Sequence, residues 1–182
     1  MTSFLVLIGL GIGGATLAVI FWSIVRPSRK VWPPKQYTSL TPVLVWVPTL
    51  SLFGILIILG VLGWGQIATP EWLRYGVGLP LIVLGNVAVW YEVRFFGIHQ
   101  TGGARGSLRI DGLYRYSRNP QYVADVCIVL GWIVLSSAPW AAVVAIPGIA
   151  ALLAAPFSEE PWLREQYGPD YDQYASKVRR FI

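Results

Sequence analysis

Charge is the first thing this chain has little of. Asp, Glu, Lys and Arg make up 13% of its 182 residues, where soluble domains carry about 25%, so an ordinary water-facing surface is excluded. Cysteine and histidine are scarcer still, with Cys127 and His99 the single representatives of their types. A lone cysteine rules out a disulfide framework. One nitrogen and one sulfur donor fall short of a tetrahedral zinc site, so no metal is expected. Cys127 lies in an apolar stretch, where packing is the plain reading. Sustained alternation of apolar and polar residues is also missing, which argues against strands.

Apolar residues fill the gap, at 55% of the chain and a mean hydropathy of +0.58. A helix crossing about 30 Å of hydrocarbon needs roughly 20 residues. Ser3 to Val25, Pro42 to Trp64 and Leu73 to Phe96 each reach that length. Tyr122 to Ser137 and Ala138 to Phe157 are shorter and nearly touch, which predicts a tight antiparallel hairpin. Backbone polar groups in lipid need internal partners, which favours helices. The expected fold is an all-α integral membrane protein of about five transmembrane helices, forming one membrane domain over residues 1–182. The first apolar run has no positive charge before it and exceeds a usual signal core, so it is expected to stay as a helix.

The basic residues predict an orientation. All but Arg74 of the 14 lysines and arginines fall into three groups. Arg26, Arg29, Lys30 and Lys35 lie between the first two helices; Arg94, Arg105, Arg109, Arg115 and Arg118 lie between the third and fourth; Arg164, Lys177, Arg179 and Arg180 follow the fifth. Five spans put all three groups on one face, and the positive-inside rule makes that face cytoplasmic, with the N-terminus outside and the C-terminus inside. A bacterial inner membrane or an equivalent cell membrane is the expected location. The isoelectric point near 9.6 then reflects topology and attraction to anionic lipid headgroups, not nucleic-acid binding.

Gly9, Gly11, Gly13 and Gly14 look like a phosphate-binding loop, yet they sit inside an apolar span instead of after a strand. Close helix packing through Gly9 and Gly13 is the expected role. Pro48, Pro80 and Pro147 fall inside predicted helices, where membrane proteins tolerate kinks. Intramembrane polar residues are costly and point to function by default; Asn86, Glu92 and Asp125 qualify. Glu92 lies within a turn of Arg94, so an ion pair competes with a chemical role. Asp125, one turn into the fourth helix, either lines a polar cavity or bonds a neighbouring helix.

Two polar clusters flank the hairpin: Gly112-Leu113-Tyr114-Arg115-Tyr116-Ser117-Arg118-Asn119-Pro120-Gln121-Tyr122 and Glu159-Glu160-Pro161-Trp162-Leu163. The connection around Ser136 to Pro139 is so short that the two helices must be antiparallel neighbours. The start of the fourth helix and the end of the fifth then meet on the cytoplasmic side. Their chemistry suits a zwitterion with a cationic centre: the Glu159–Glu160 pair to hold an ammonium, and Arg118 to fork onto a carboxylate. The helix N-terminus adds to the anion site, and Pro120 fits that helix start. The same residues also fit an interfacial belt of Tyr, Arg and Glu with no ligand.

In order and spacing, Gly112-x-Tyr114-x-x-x-Arg118-Asn119-Pro120-x-Tyr122, Glu159-Glu160-x-x-Leu163 and Tyr167-Gly168-x-x-Tyr171-x-x-Tyr174 resemble the isoprenylcysteine carboxyl methyltransferase and phospholipid methyltransferase superfamily. The resemblance implies a cofactor-binding half over residues 97–182, behind two generic helices over 1–64. The implied cofactor is S-adenosylmethionine, held at Tyr114, Asn119, Pro120, Tyr122 and Glu159. His99 or Gln100 is implied as a further polar contact, and Ser107 and Leu108 as a stretch lying along the cofactor. Asn119 stands where the superfamily more often has histidine, and it can still donate and accept. Prenylcysteine-methylating relatives carry an arginine one turn before the acidic pair, where this chain has Ala154, Ala155, Pro156 and Phe157. The implied function is a membrane methyltransferase acting on a lipophilic acceptor: a lipid amine, a hydrophobic thiol or a carboxylate. Asp125 or Glu92 are the candidate proton acceptors. Sterol reductases, which use a reduced nicotinamide cofactor, are similar in the same half and supply the rival reading; a non-catalytic membrane scaffold is the third.

Overall fold

The computed structural model describes residues 1–101, 104 and 106–182, with side chains left out for 96–101. Regular structure among the described residues is entirely helical: α1 (Thr2–Val25), α2 (Thr41–Leu62), α3 (Leu79–Thr101), α4 (Pro120–Ser136), α5 (Pro139–Tyr167) and α6 (Pro169–Lys177), with short turns between. Thr2–Val25, Thr41–Leu62, Glu71–Phe95 and Pro139–Tyr167 are long and apolar enough to cross a membrane. The apolar α4 has 17 residues, a length of about 25 Å against about 30 Å of hydrocarbon. Four long helices and one short one thus stand where about five spans were expected.

Each long helix is apolar nearly all round, as lipid on one side and protein on the other require. Leu7 and Leu44 face outward, while Leu56, Leu59, Val129, Ala141, Val144 and Ala145 are buried together where α2, α4 and α5 meet. The glycines of α1 decide how closely it joins this core. A Cβ on Gly9 would lie 2.5 Å from Val144 Cγ1, and one on Gly13 would lie 2.9 Å from Pro147 Cγ. These are packing glycines, as the small-residue spacing predicts. Asn86 satisfies its amide on its own helix, donating to the Ile82 carbonyl at 2.8 Å.

Proline shapes three helices. Pro48 and Pro147 lie inside α2 and α5 as expected. Pro80 follows a π-helical stretch, Arg74–Gly78, that runs into α3. A proline ring crowds the carbonyl four residues back and removes a donor, and the wider π turn absorbs that mismatch. The larger difference from expectation is α5. It does not end near Phe157 but runs for 29 residues through Pro156 and Pro161 to Tyr167. The acidic pair therefore sits on a helix and not beyond one. Gly168, at φ 54, stops it, and Pro169 opens α6.

The hairpin closes through Ser137, in left-handed backbone at φ 51 and ψ 39, and the fully buried Ala138. The last carbonyls of a helix lack intrahelical donors, and the segment after α2 supplies them. Gly65 N–H donates to Ser136 O at 2.8 Å, Ile67 N–H to Ser137 O at 2.9 Å, and Arg74 Nε–H to Leu135 O at 2.9 Å.

The α1 contact yields a direct test. Gly9→Leu is expected to lose roughly 1–3 kcal/mol through overpacking. Gly11→Leu, with nothing within 4 Å of its Cβ position, should stay within about 0.5 kcal/mol of the parent. Thermal unfolding in detergent compares the two; equal losses would show that the Gly9 contact does not set the packing.

Candidate functional site

The hairpin brings the two polar clusters together, as their spacing predicts. Tyr122, on the first turn of α4, donates its hydroxyl to Glu159 of α5. Trp32 Nε1, from the segment between α1 and α2, donates to the same Glu159 oxygen at 2.5 Å. Arg118 Nη2 pairs with Glu160 Oε1 at 2.8 Å. The two carboxylates diverge. Glu159 lines a cavity of about 170 Å³, and Glu160 is not part of its lining.

Glu160 is instead the centre of a buried ion cluster. Arg180 meets it with both Nε at 2.7 Å and Nη2 at 2.8 Å, a bidentate geometry. Arg118 also gives Nη1 to the carbonyls of Ala175 at 2.8 Å and Val178 at 3.1 Å. Its backbone N–H reaches Arg179 O at 2.9 Å, and the Asn119 amide reaches Arg180 O at 3.0 Å. Tyr174 Oη donates to Tyr114 O at 2.7 Å. The chain from Tyr174 to Arg180 is thus laced to the segment from Tyr114 to Asn119. The expected joint use of Glu159 and Glu160 on one ammonium is corrected here, because both oxygens of Glu160 already carry guanidinium partners.

Seven of the expected cofactor residues do line the cavity: Ser107, Leu108, Tyr114, Arg118, Asn119, Tyr122 and Glu159. Pro120 does not; it occupies the first position of α4, where its missing N–H is harmless. His99 and Gln100 fall in the last turns of α3, and their side chains lie outside the described residues. Trp32, Gln121, Trp162 and the tyrosines 167, 171 and 174 also line the cavity. The three tyrosines were visible as a motif without a role, whereas Trp32 sits in a segment whose sequence carries no periodic signal.

The lining carries complementary charge. Two buried donors have no partner among the described residues, Arg118 Nε and Tyr171 Oη. Burial, and then the Glu160 charge, push the Tyr171 hydroxyl up to about 12, so it stays protonated and able to donate. Burial, then Glu92 and Glu159, likewise raise Tyr114. Glu159 supplies acceptor oxygens to the same space. A ligand with an ammonium and a carboxylate finds a partner for each.

Neither candidate proton acceptor lines the cavity. Glu92 is 1% exposed and accepts from the Leu113 N–H at 3.3 Å. Its ionic partner is Arg109, at 3.4 Å and not aligned as a hydrogen bond, instead of the exposed Arg94. Gly112, at φ 59, lets the chain turn directly over this carboxylate. Glu92 therefore holds the 109–115 segment in place, and its candidacy as a proton acceptor is withdrawn. Asp125 is half-buried one helical turn past Tyr122.

The sequence profile of the phospholipid methyltransferase family matches residues 73–170, which covers α3, α4, α5 and the segments between them. A steroid 5-alpha-reductase, DET2 of Solanum lycopersicum, is 26% identical over 113 residues. That alignment takes in 61% of this chain and 43% of the reductase, so the chain spans less than half of this relative. No solved structure matches the chain.

The ion cluster yields the next prediction. Removing one partner of a buried pair leaves an uncompensated charge, a loss of about 3–5 kcal/mol. Glu160→Ala is expected to show a loss of that size in thermal unfolding and to expose the 174–180 backbone to hydrogen exchange. Arg164→Ala breaks the exposed pair with Asp172 at 3.1 Å and should cost about 0–1 kcal/mol. Similar losses for both variants would remove the cluster from its assigned role.

Proposed function

We propose that this chain, which belongs to the phospholipid methyltransferase family, is a membrane-embedded methyltransferase that uses S-adenosylmethionine on a lipophilic acceptor. The observation that carries the reading is the pairing, within one cavity, of the Glu159 carboxylate with the unpartnered donors Arg118 Nε and Tyr171 Oη. Bound there, S-adenosylmethionine supplies an electrophilic methyl group on a sulfonium centre.

The chain's own residues bind, orient and exclude water. Glu159 takes the ammonium and is itself oriented by Tyr122 and Trp32. Arg118 Nε and Tyr171 Oη take the carboxylate. The aromatic lining, Tyr114 and Trp162 included, suits a cationic sulfur and keeps solvent away from it. Ser107 and Leu108 run along the ligand, Asn119 and Pro120 shape the start of α4, and the resemblance adds His99 or Gln100 as a further polar contact. Methyl transfer is an in-line displacement, so positioning supplies much of its rate. The donor site faces the cytoplasm in this reading, and the acceptor, a lipid amine, a hydrophobic thiol or a carboxylate, arrives from the bilayer. Residues 97–182 hold the donor, with the exception of the Trp32 contribution. Similarity to a steroid 5-alpha-reductase supports a second reading, in which the cavity takes a reduced nicotinamide cofactor.

Calorimetry separates these readings: S-adenosylhomocysteine is expected to bind and NADPH not to. Glu159→Gln should weaken S-adenosylhomocysteine binding by roughly 10- to 150-fold, the loss of one charge-assisted bond of about 1.5–3 kcal/mol. Glu71→Gln, in the helical turn before α3, should leave it unchanged. Equal affinities for the two variants would count against the cavity. Reporter fusions at Lys30, Gln66, Arg105, Pro139 and the C-terminus should read in, out, in, out, in. An outward C-terminus would overturn both the orientation and the cytoplasmic donor site.

A further inference from the structure

We infer that Asp125 is the group that meets the methyl acceptor and takes its proton, which restricts the enzyme to acceptors that carry one. The inference rests on the methyltransferase reading above and concerns the side of the site that faces the bilayer.

The argument begins with which way α4 turns. Ala124, Ile128 and Gly131 press against α3: a Cβ on Gly85 would lie 2.8 Å from Ala124 O, and one on Gly131 would lie 2.7 Å from Gly78 O. Leu130, 42% exposed, marks the outer face. A third stripe, at the i, i+3, i+7 and i+10 spacing of one helical face, holds Tyr122, Asp125, Val129 and Trp132. Its members point inward: Tyr122 to Glu159, Val129 into the core, and Trp132 Nε1 to Leu56 O at 2.8 Å. Asp125 sits between the cavity residue and the core residue, about 7 Å along α4 from Pro120. It is half-buried and has no hydrogen bond or ion pair among the described residues. The acids of α3 and α5 that lie nearest the site each have a partner: Glu92 has Arg109, Glu159 has Tyr122 and Trp32, and Glu160 has Arg118 and Arg180. An acid at this depth is costly unless something pairs with it, and in the methyltransferase reading the acceptor is the partner that Asp125, one turn beyond the cavity residue Tyr122, would meet.

The chemistry then balances. The acceptor's nitrogen or sulfur forms a bond to the methyl carbon, and the methyl–sulfonium bond breaks with its electron pair remaining on sulfur. The proton lost from the acceptor goes to Asp125. An anionic carboxylate acceptor has no proton to give and would bring a second negative charge beside Asp125. Among the described residues, the two arginines that line the cavity are already paired, Arg109 with Glu92 and Arg118 with Glu160. Arg180 lies 4.0 Å over the Phe157 ring in the stretch where an arginine would otherwise be needed, but it is held by Glu160.

The test uses the full chain in lipid nanodiscs. Asp125→Asn is expected to bind S-adenosylhomocysteine like the parent, within about twofold. Its kcat on phosphatidylethanolamine or a hydrophobic thiol, whichever the parent uses, should fall by about 10²–10⁴-fold, the range for a lost general base. Asp125→Glu, which keeps a carboxylate, should recover most of the rate and guards against a folding artefact. An undiminished rate in Asp125→Asn would overturn the inference, as would efficient methylation of a farnesylcysteine analogue. So would a parent protein that binds S-adenosylhomocysteine yet methylates neither protic acceptor. Failure of the parent to bind S-adenosylhomocysteine at all overturns the methyltransferase reading itself, a result distinct from the others.

Discussion

An α-helix turns by about 100° between neighbouring residues, so Glu159 and Glu160 cannot both face the same space. On α5 this constraint separates the proposed ligand contact from scaffolding. Glu160 turns toward Arg118 and Arg180 and ties the chain's last turns to the start of α4. Glu159 turns into the cavity and is steadied there by Tyr122 and Trp32. The cavity has its walls because one carboxylate anchors them, and it has its charge because the other does not.

The anchoring half is not an obvious source of stability. Desolvating two guanidinium groups and a carboxylate can cost as much as their attraction returns. What the cluster contributes is geometry. Arg118 reaches Ala175 and Val178 as well as Glu160, so the end of α6, the turn before α4 and the far third of α5 share one fixed arrangement. Glu92 and Arg109 play a similar part beneath the Gly112 turn. Buried ion pairs thus hold the parts of the site that lack regular hydrogen-bonded structure of their own.

The sequence made the helical membrane fold and the meeting of the two polar clusters legible, because both follow from local signals: apolar length and a connection too short to separate α4 from α5. The packing role of Gly9 and Gly13 was legible for the same reason. The ends of helices were less so. Pro156, Phe157 and Pro161 read as a terminus, yet α5 continues because residues distant in sequence, Arg118, Tyr122, Trp32 and Arg180, hold its acidic pair from the sides. Glu92 was paired with its sequence neighbour Arg94, when a tight turn at Gly112 carries Arg109 to it. Trp32 was missed because a single indole in an irregular segment has no pattern to betray its partner. Every one of these is a long-range pairing, which periodicity cannot report.

The length of α5 has a kinetic consequence. From Pro139 to Glu159 the helix rises about 30 Å, the thickness of the hydrocarbon layer, and the remaining turns to Tyr167 extend further. In the methyltransferase reading, the cavity would open at the level where oil gives way to water. Its two reactants would be counted in different units, one as a concentration in solution and the other as a mole fraction within the plane of the sheet. Diluting the acceptor with inert lipid would slow such a catalyst at constant bulk composition, while enlarging the aqueous volume around the same membranes would leave the acceptor's occupancy untouched.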